Sequence, residues 1–126
     1  MNWDAKLKEI TQGKKLRELD KAEAKKLTTP SIKDAANFQI PVGSKLTLIL
    51  PAFESAYYDT VILILVGDTD SGPYGSGTVV NGQETQVVIQ ENDFKAGDRV
   101  RVLSYLHIEN GDVFVKGLES GYYTFT

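Results

Sequence analysis

From Asp59 to Gly67 the chain reads Asp-Thr-Val-Ile-Leu-Ile-Leu-Val-Gly. A polar pair opens an unbroken apolar run and a glycine closes it. A run of this length between turn signals predicts a strand covered on both faces. It is too short to cross a bilayer. Beyond about residue 36 the neighbouring segments alternate apolar and polar positions, and strands are predicted over 38–42, 45–50, 60–66, 78–80, 85–90, 99–108, 112–116 and 122–125. The early part of 99–108 alternates charge with valine, so one of its faces is wet. Asn81-Gly82 and Asn110-Gly111 are tight-turn signals. Asp68–Gly77 is a turn-dense loop, and Gly72–Gly77 within it reads as a flexible hairpin tip. Short strands with turns this frequent predict an antiparallel sandwich or barrel.

The first residues follow a different period. Trp3, Leu7 and Ile10 fall at i, i+4 and i+7, one stripe of a helix. Gly13 interrupts the stripe, and Leu16 and Leu19 resume it. Lys, Glu, Ala and Leu dominate residues 2–27 and favour helix. Thr28-Thr29-Pro30 stops it, because the residue before proline is pushed out of the α region. The predicted organisation is a helical arm over 1–28, a linker over 29–37 and a β domain over 38–126. One amphipathic helix cannot bury its stripe alone. Two readings stay open: the arm docks on its own body, or Trp3, Leu7, Ile10, Leu16 and Leu19 engage a partner protein or a second copy.

Charge separates these regions. Residues 1–28 carry eight Lys or Arg against five Asp or Glu; the remainder carries six against twelve. A basic arm thus sits on an acidic body. Its charges are interleaved rather than clustered, which argues against nucleic-acid binding. The 126 residues hold no cysteine, which excludes disulfides, thiolate catalysis and cysteine-ligated metals. Met1–Ile10 has no apolar core of a signal peptide and no segment is a membrane span, so cytoplasmic synthesis without general secretion is expected.

Tyr58–Gly67 resembles the third strand of bacterial immunoglobulin-like domains, the repeats of large surface adhesins. Gln86-Val87-Val88-Ile89, followed by Asp93-Phe94-Lys95-Ala96-Gly97-Asp98-Arg99-Val100-Arg101-Val102-Leu103-Ser104-Tyr105, is similar to the corner and next strand of that family. The sequence departs from the pattern at Leu65, where an aromatic is usual, and at Gln90, where proline is usual. The resemblance covers residues 38–126. It implies a mainly β fold, an immunoglobulin-like antiparallel β-sandwich with an N-terminal α-helical arm, and no catalytic residues. Similar architectures occur among virion and injection-machine components, which leaves the final location open.

The candidate chemistry is sparse. His107 is the single histidine, with Glu109 as its nearest carboxylate along the strand. A Ser-His-Asp triad using Ser104 or Ser120 lacks any nucleophile elbow. Asp68 and Asp70, before Gly72, are weak candidates for calcium, since the twelve-residue calcium-loop pattern is not met. The aromatics Phe53, Tyr57, Tyr58, Tyr74, Tyr122 and Tyr123 fall near predicted turns, where recognition usually resides. Tyrosine binds proteins and sugars at low entropic cost. The expectation is a non-enzymatic module without a cofactor that contacts a protein or another copy. The alternative is a carbohydrate-binding module using Tyr57, Tyr58 and Tyr74.

Overall fold

The computed structural model describes residues 3–54, 57–68 and 71–126, excluding the side chains of Trp3, Asp4 and Ser71. Helix α1 spans Trp3–Thr11, strand β1 Lys15–Arg17 and helix α2 Lys21–Ala24. Strands β2 (Ser31–Ile32), β3 (Gln39–Ile40) and β4 (Leu46–Leu50) follow, then β5 (Tyr58–Gly67) and β6 (Ser71–Thr78). The chain continues through β7 (Thr85–Ile89), β8 (Arg99–Ile108), β9 (Val113–Glu119) and β10 (Tyr123–Phe125). No helix among the described residues is long and apolar enough to cross a membrane.

Two sheets form a sandwich. The larger runs β6–β5–β8, all antiparallel. The far edge of β8 is shared: β10 pairs near Val100 and β9 pairs from Leu103 to His107. β1 adds parallel to β9, and β3 adds parallel to β10. The smaller sheet is β2–β4–β7, antiparallel throughout. In the immunoglobulin arrangement strands B and E lie in one sheet and C, F and G in the other. Here β4 and β7 take the first pair of places, and β5, β8 and β9 take the other three. The fold is therefore a mainly β, immunoglobulin-like sandwich with an N-terminal helix.

β5 is the centre. Val61 to Leu65 are all buried, as a continuous apolar run requires. Val61, Leu63 and Leu65 face the inter-sheet core with Leu48, Val87, Val102 and Phe125. Ile62 and Ile64 face the opposite way and join Ile10, Leu103, Tyr105 and Phe114, with Leu7 packed alongside. Helix α1 is thus the cover on the outer face of the large sheet. The apolar stripe and the doubly buried strand meet each other within the chain. Each such side chain gains roughly 1.5–3 kcal/mol from full burial.

The arm is not continuous helix over 1–28. α1 ends where Gln12 and Gly13 both take positive φ, at 55° and 75°. Gly13 N–H donates to Lys8 O and Gln12 N–H to Glu9 O, the paired closing bonds of a left-handed helix end. The chain then leaves as β1. Asp20 and Glu23 form a reciprocal capping box that starts α2 afresh. Helix propensity over 14–19 yields to strand pairing against β9, as a weak local preference does in tertiary context.

Gly72–Gly77 is also not a flexible tip, because Ser71–Thr78 forms edge strand β6. Its glycines are there for closeness. A Cβ at Gly75 would lie 2.6 Å from Val87 Cγ1, and one at Gly77 would lie 2.6 Å from Thr85 Cγ2. Glycine alone lets β6 lie against β7 at the seam between the sheets.

Candidate functional site

The N-terminal segment and the start of β5 enclose a cleft of about 470 Å³. Its lining is Arg17, Asp20, Glu23, Lys26, Leu27, Tyr57 and Tyr58. That volume falls within the usual range of small-ligand sites. β1 delivers Arg17, the capping box fixes Asp20 and Glu23, and Leu27 anchors the segment in the sandwich core. Tyr57 and Tyr58 both line the cleft but differ in burial. Tyr58 is buried and Tyr57 is 50% exposed. Their rings meet edge to face at 5.1 Å.

Glu23 is the hub of the floor. Arg17 Nη1 and Nη2 donate to its two carboxylate oxygens at 2.6 and 2.8 Å. Tyr58 Oη donates to Glu23 Oε2 at 2.9 Å. The bond from Arg17 holds the Glu23 carboxyl well below the usual range, at about 2. The same bond raises the Arg17 guanidinium further. Burial, then the bond to Glu23, pushes the Tyr58 hydroxyl well above its ordinary value. Glu23 is therefore an anion, and Tyr58 a neutral donor, throughout the physiological range.

A second polar cluster lies beside the cleft, where β5 begins and β8 ends. His107 Nδ1 lies 2.7 Å from Asp59 Oδ1. Nε2 lies 3.1 Å from both Lys14 Nζ and Gly111 O. Burial raises the Asp59 carboxyl, but hydrogen bonds from His107 and Thr60 outweigh it and leave a net lowering. The carboxylate partner of His107 is Asp59 across the ladder, not Glu109. Sequence separation hid this pair; the antiparallel register of β5 and β8 creates it. Neither serine approaches a triad. Ser104 Oγ donates to Leu118 O, and Ser120 Oγ accepts from Val102 N–H while donating to Gly121 O.

The remaining expected residues scatter. Ile10 is 3% exposed and Leu7 half-buried, both against their own sheet. Leu16 is 42% exposed on β1, and Leu19 packs against the inter-sheet core. The Trp3 side chain lies outside the described residues. Leu7, Ile10, Leu16 and Leu19 therefore present no single outward stripe. Tyr74 lies under Lys6 Nζ, 4.8 Å from the ring centre, and does not line the cleft. Asp68 is engaged by Arg99 at 3.2 Å, and Asp70 lies outside the described residues. Among the described residues no group of three or more His, Asp or Glu is placed to hold a metal ion. Arg17, Asp20, Glu23 and Lys26 were not singled out from the sequence as site residues. The signal for them was present in Asp20-x-x-Glu23, a helix-start pattern that breaks the arm in two.

No protein-family model and no curated protein matches the chain. Among solved structures, "Structure of the sulfur carrier protein SoxY from Chlorobium limicola f thiosulfatophilum" is similar at 11% identity and a TM-score of 0.47. The alignment covers 98% of this chain and 96% of that one.

Proposed function

We propose that the chain is a non-enzymatic interaction module that takes its partner at the Tyr57 cleft rather than along the helical arm. The observation that carries this is the state of the floor. A general acid or base works best with a pKa near the working pH. Glu23 is driven to about 2, and Tyr58 is driven the other way. A floor locked in one protonation state favours recognition, because its groups need no reorganisation when a partner arrives. Tyr57 supplies an exposed aromatic face above that floor. The partner in this reading is a segment of another protein, which sets an apolar or cationic side chain against Tyr57 and polar groups against Lys26 and Asp20.

A second reading is a carbohydrate ligand. The same lining favours it, since a tyrosine ring beside carboxylate and guanidinium groups suits the C–H face and hydroxyls of a sugar. With Tyr74 elsewhere, the glycan reading rests on Tyr57 and Tyr58. Asp68, one of the two calcium candidates, is paired with Arg99 and does not line the cleft.

Peptide and glycan arrays probed with the wild-type chain and with Tyr57→Ala test the cleft. The expected result is binding on one array, weakened at least about tenfold in Tyr57→Ala, with an unchanged melting temperature. Binding that survives the substitution, or two blank arrays, contradicts the reading.

A further inference from the structure

We propose that His107 is a proton-operated clamp on the cleft, holding the N-terminal wall in place only while its imidazole is neutral. This rests on reading the cleft as the binding surface. The two walls come from distant parts of the chain, and both trace back to this ring. Lys14, at its Nε2, directly precedes β1, which ends at Arg17. Asp59, at its Nδ1, directly follows Tyr58. The backbone beside His107 also grips the second wall, since Glu109 N–H donates to Tyr57 O at 3.0 Å.

The partners define the proton positions. Ionised Asp59 can only accept, so Nδ1 carries a proton and donates. Neutral His107 then has a lone pair at Nε2, and the Lys14 ammonium, which can only donate, fills it. Gly111 O can only accept, so it bonds Nε2 only after a second proton arrives. Lys14 and Gly111 are thus alternative partners of one atom, and a single proton selects between them. Imidazolium and ammonium groups repel at 3.1 Å. Asp59 offsets part of that repulsion, but Lys14 is half-buried and free to turn outward to solvent.

Among the described residues, the charged groups that meet the ring are Asp59 from β5 and Lys14 from the α1–β1 joint. The β8–β9 turn brings the neutral Gly111 carbonyl, and β9 brings Phe114, whose ring centre lies 5.1 Å away. β1 is an edge strand of three residues, so losing the Lys14 tie is a large change for it. Loosening β1 moves Arg17, and with it the floor built on Glu23. Acidification that protonates the ring therefore opens the N-terminal wall and weakens binding at Tyr57.

NMR on the full chain tests this without any ligand, and the single histidine makes the ring signals unambiguous. From about pH 8 to about pH 4.5, the Lys15–Arg17 amides and Arg17 Nε–H should shift with the same midpoint as the imidazole. Amide protection over Lys15–Arg17 should fall by at least about tenfold across that midpoint. In His107→Gln both responses should vanish. In Lys14→Met the low protection should already be present at neutral pH, and this variant decides the matter if His107→Gln does not fold. Three results overturn the clamp: a ring that does not titrate over this range, β1 signals that ignore its titration, or unchanged β1 protection in Lys14→Met. Blank arrays would overturn the cleft reading and leave these signals as they are, so the two failures are distinguishable.

Discussion

Glu23 shows how much one side chain organises here. It caps α2, accepts both arms of Arg17, and receives the Tyr58 hydroxyl. Removing one partner of such a set costs more than the net worth of any single bond, because the remaining donors lose their acceptor. Arg17 is more than a third exposed, so solvent screening reduces the cost. Glu23→Gln should therefore destabilise the chain by about 1–2 kcal/mol at neutral pH. The pH dependence has a definite sign. The folded-state pKa is depressed, so this stabilisation is complete above the ordinary glutamate value and lost as pH falls from 4.5 toward about 2. Melting curves of wild type and Glu23→Gln should converge as pH approaches 2. A constant gap down to that pH would show that the ion pair is not the cause.

At the scale of elements, β6 is the sharpest case. Its glycines serve the approach of β7, which a sequence rich in Ser, Gly and Pro does not announce. Gly75→Ala should destabilise by about 1–3 kcal/mol, because the new methyl meets buried Val87. Chemical denaturation measures this directly; a change under about 0.5 kcal/mol would mean that the seam opens freely. The strands 45–50, 60–66, 85–90 and 99–108 were legible because alternation or an unbroken apolar run reports local burial. The two-residue strand β2 was not legible, since two residues carry no period, and of the strand expected over 38–42 only β3, Gln39–Ile40, forms. β1 was hidden for another reason: Lys15-Leu16-Arg17 is good helix sequence, and only the open edge of β9 makes it a strand. The cleft was half legible. Tyr57 and Tyr58 stood out as aromatics, whereas Arg17 and Glu23 read as ordinary helix-surface charge until the capping box set their positions.

For the whole molecule, the N-terminal segment belongs to the sandwich. α1 covers Ile62, Ile64, Leu103, Tyr105 and Phe114, β1 extends the large sheet, and residues 17–27 form one wall of the cleft. The proposed binding cleft and fold stability therefore share the same segment, and Leu7, Ile10 and Leu19 of the arm are covered within the chain. The most direct measurement is thermal unfolding combined with light scattering on the full chain and on a chain beginning at Thr29. The account predicts that the shortened chain melts at least about 10 °C lower and self-associates through the bared outer face of the large sheet. A shortened chain that stays monomeric and melts at the same temperature would contradict it, because the first 28 residues would then be an appendage and not a layer of the fold.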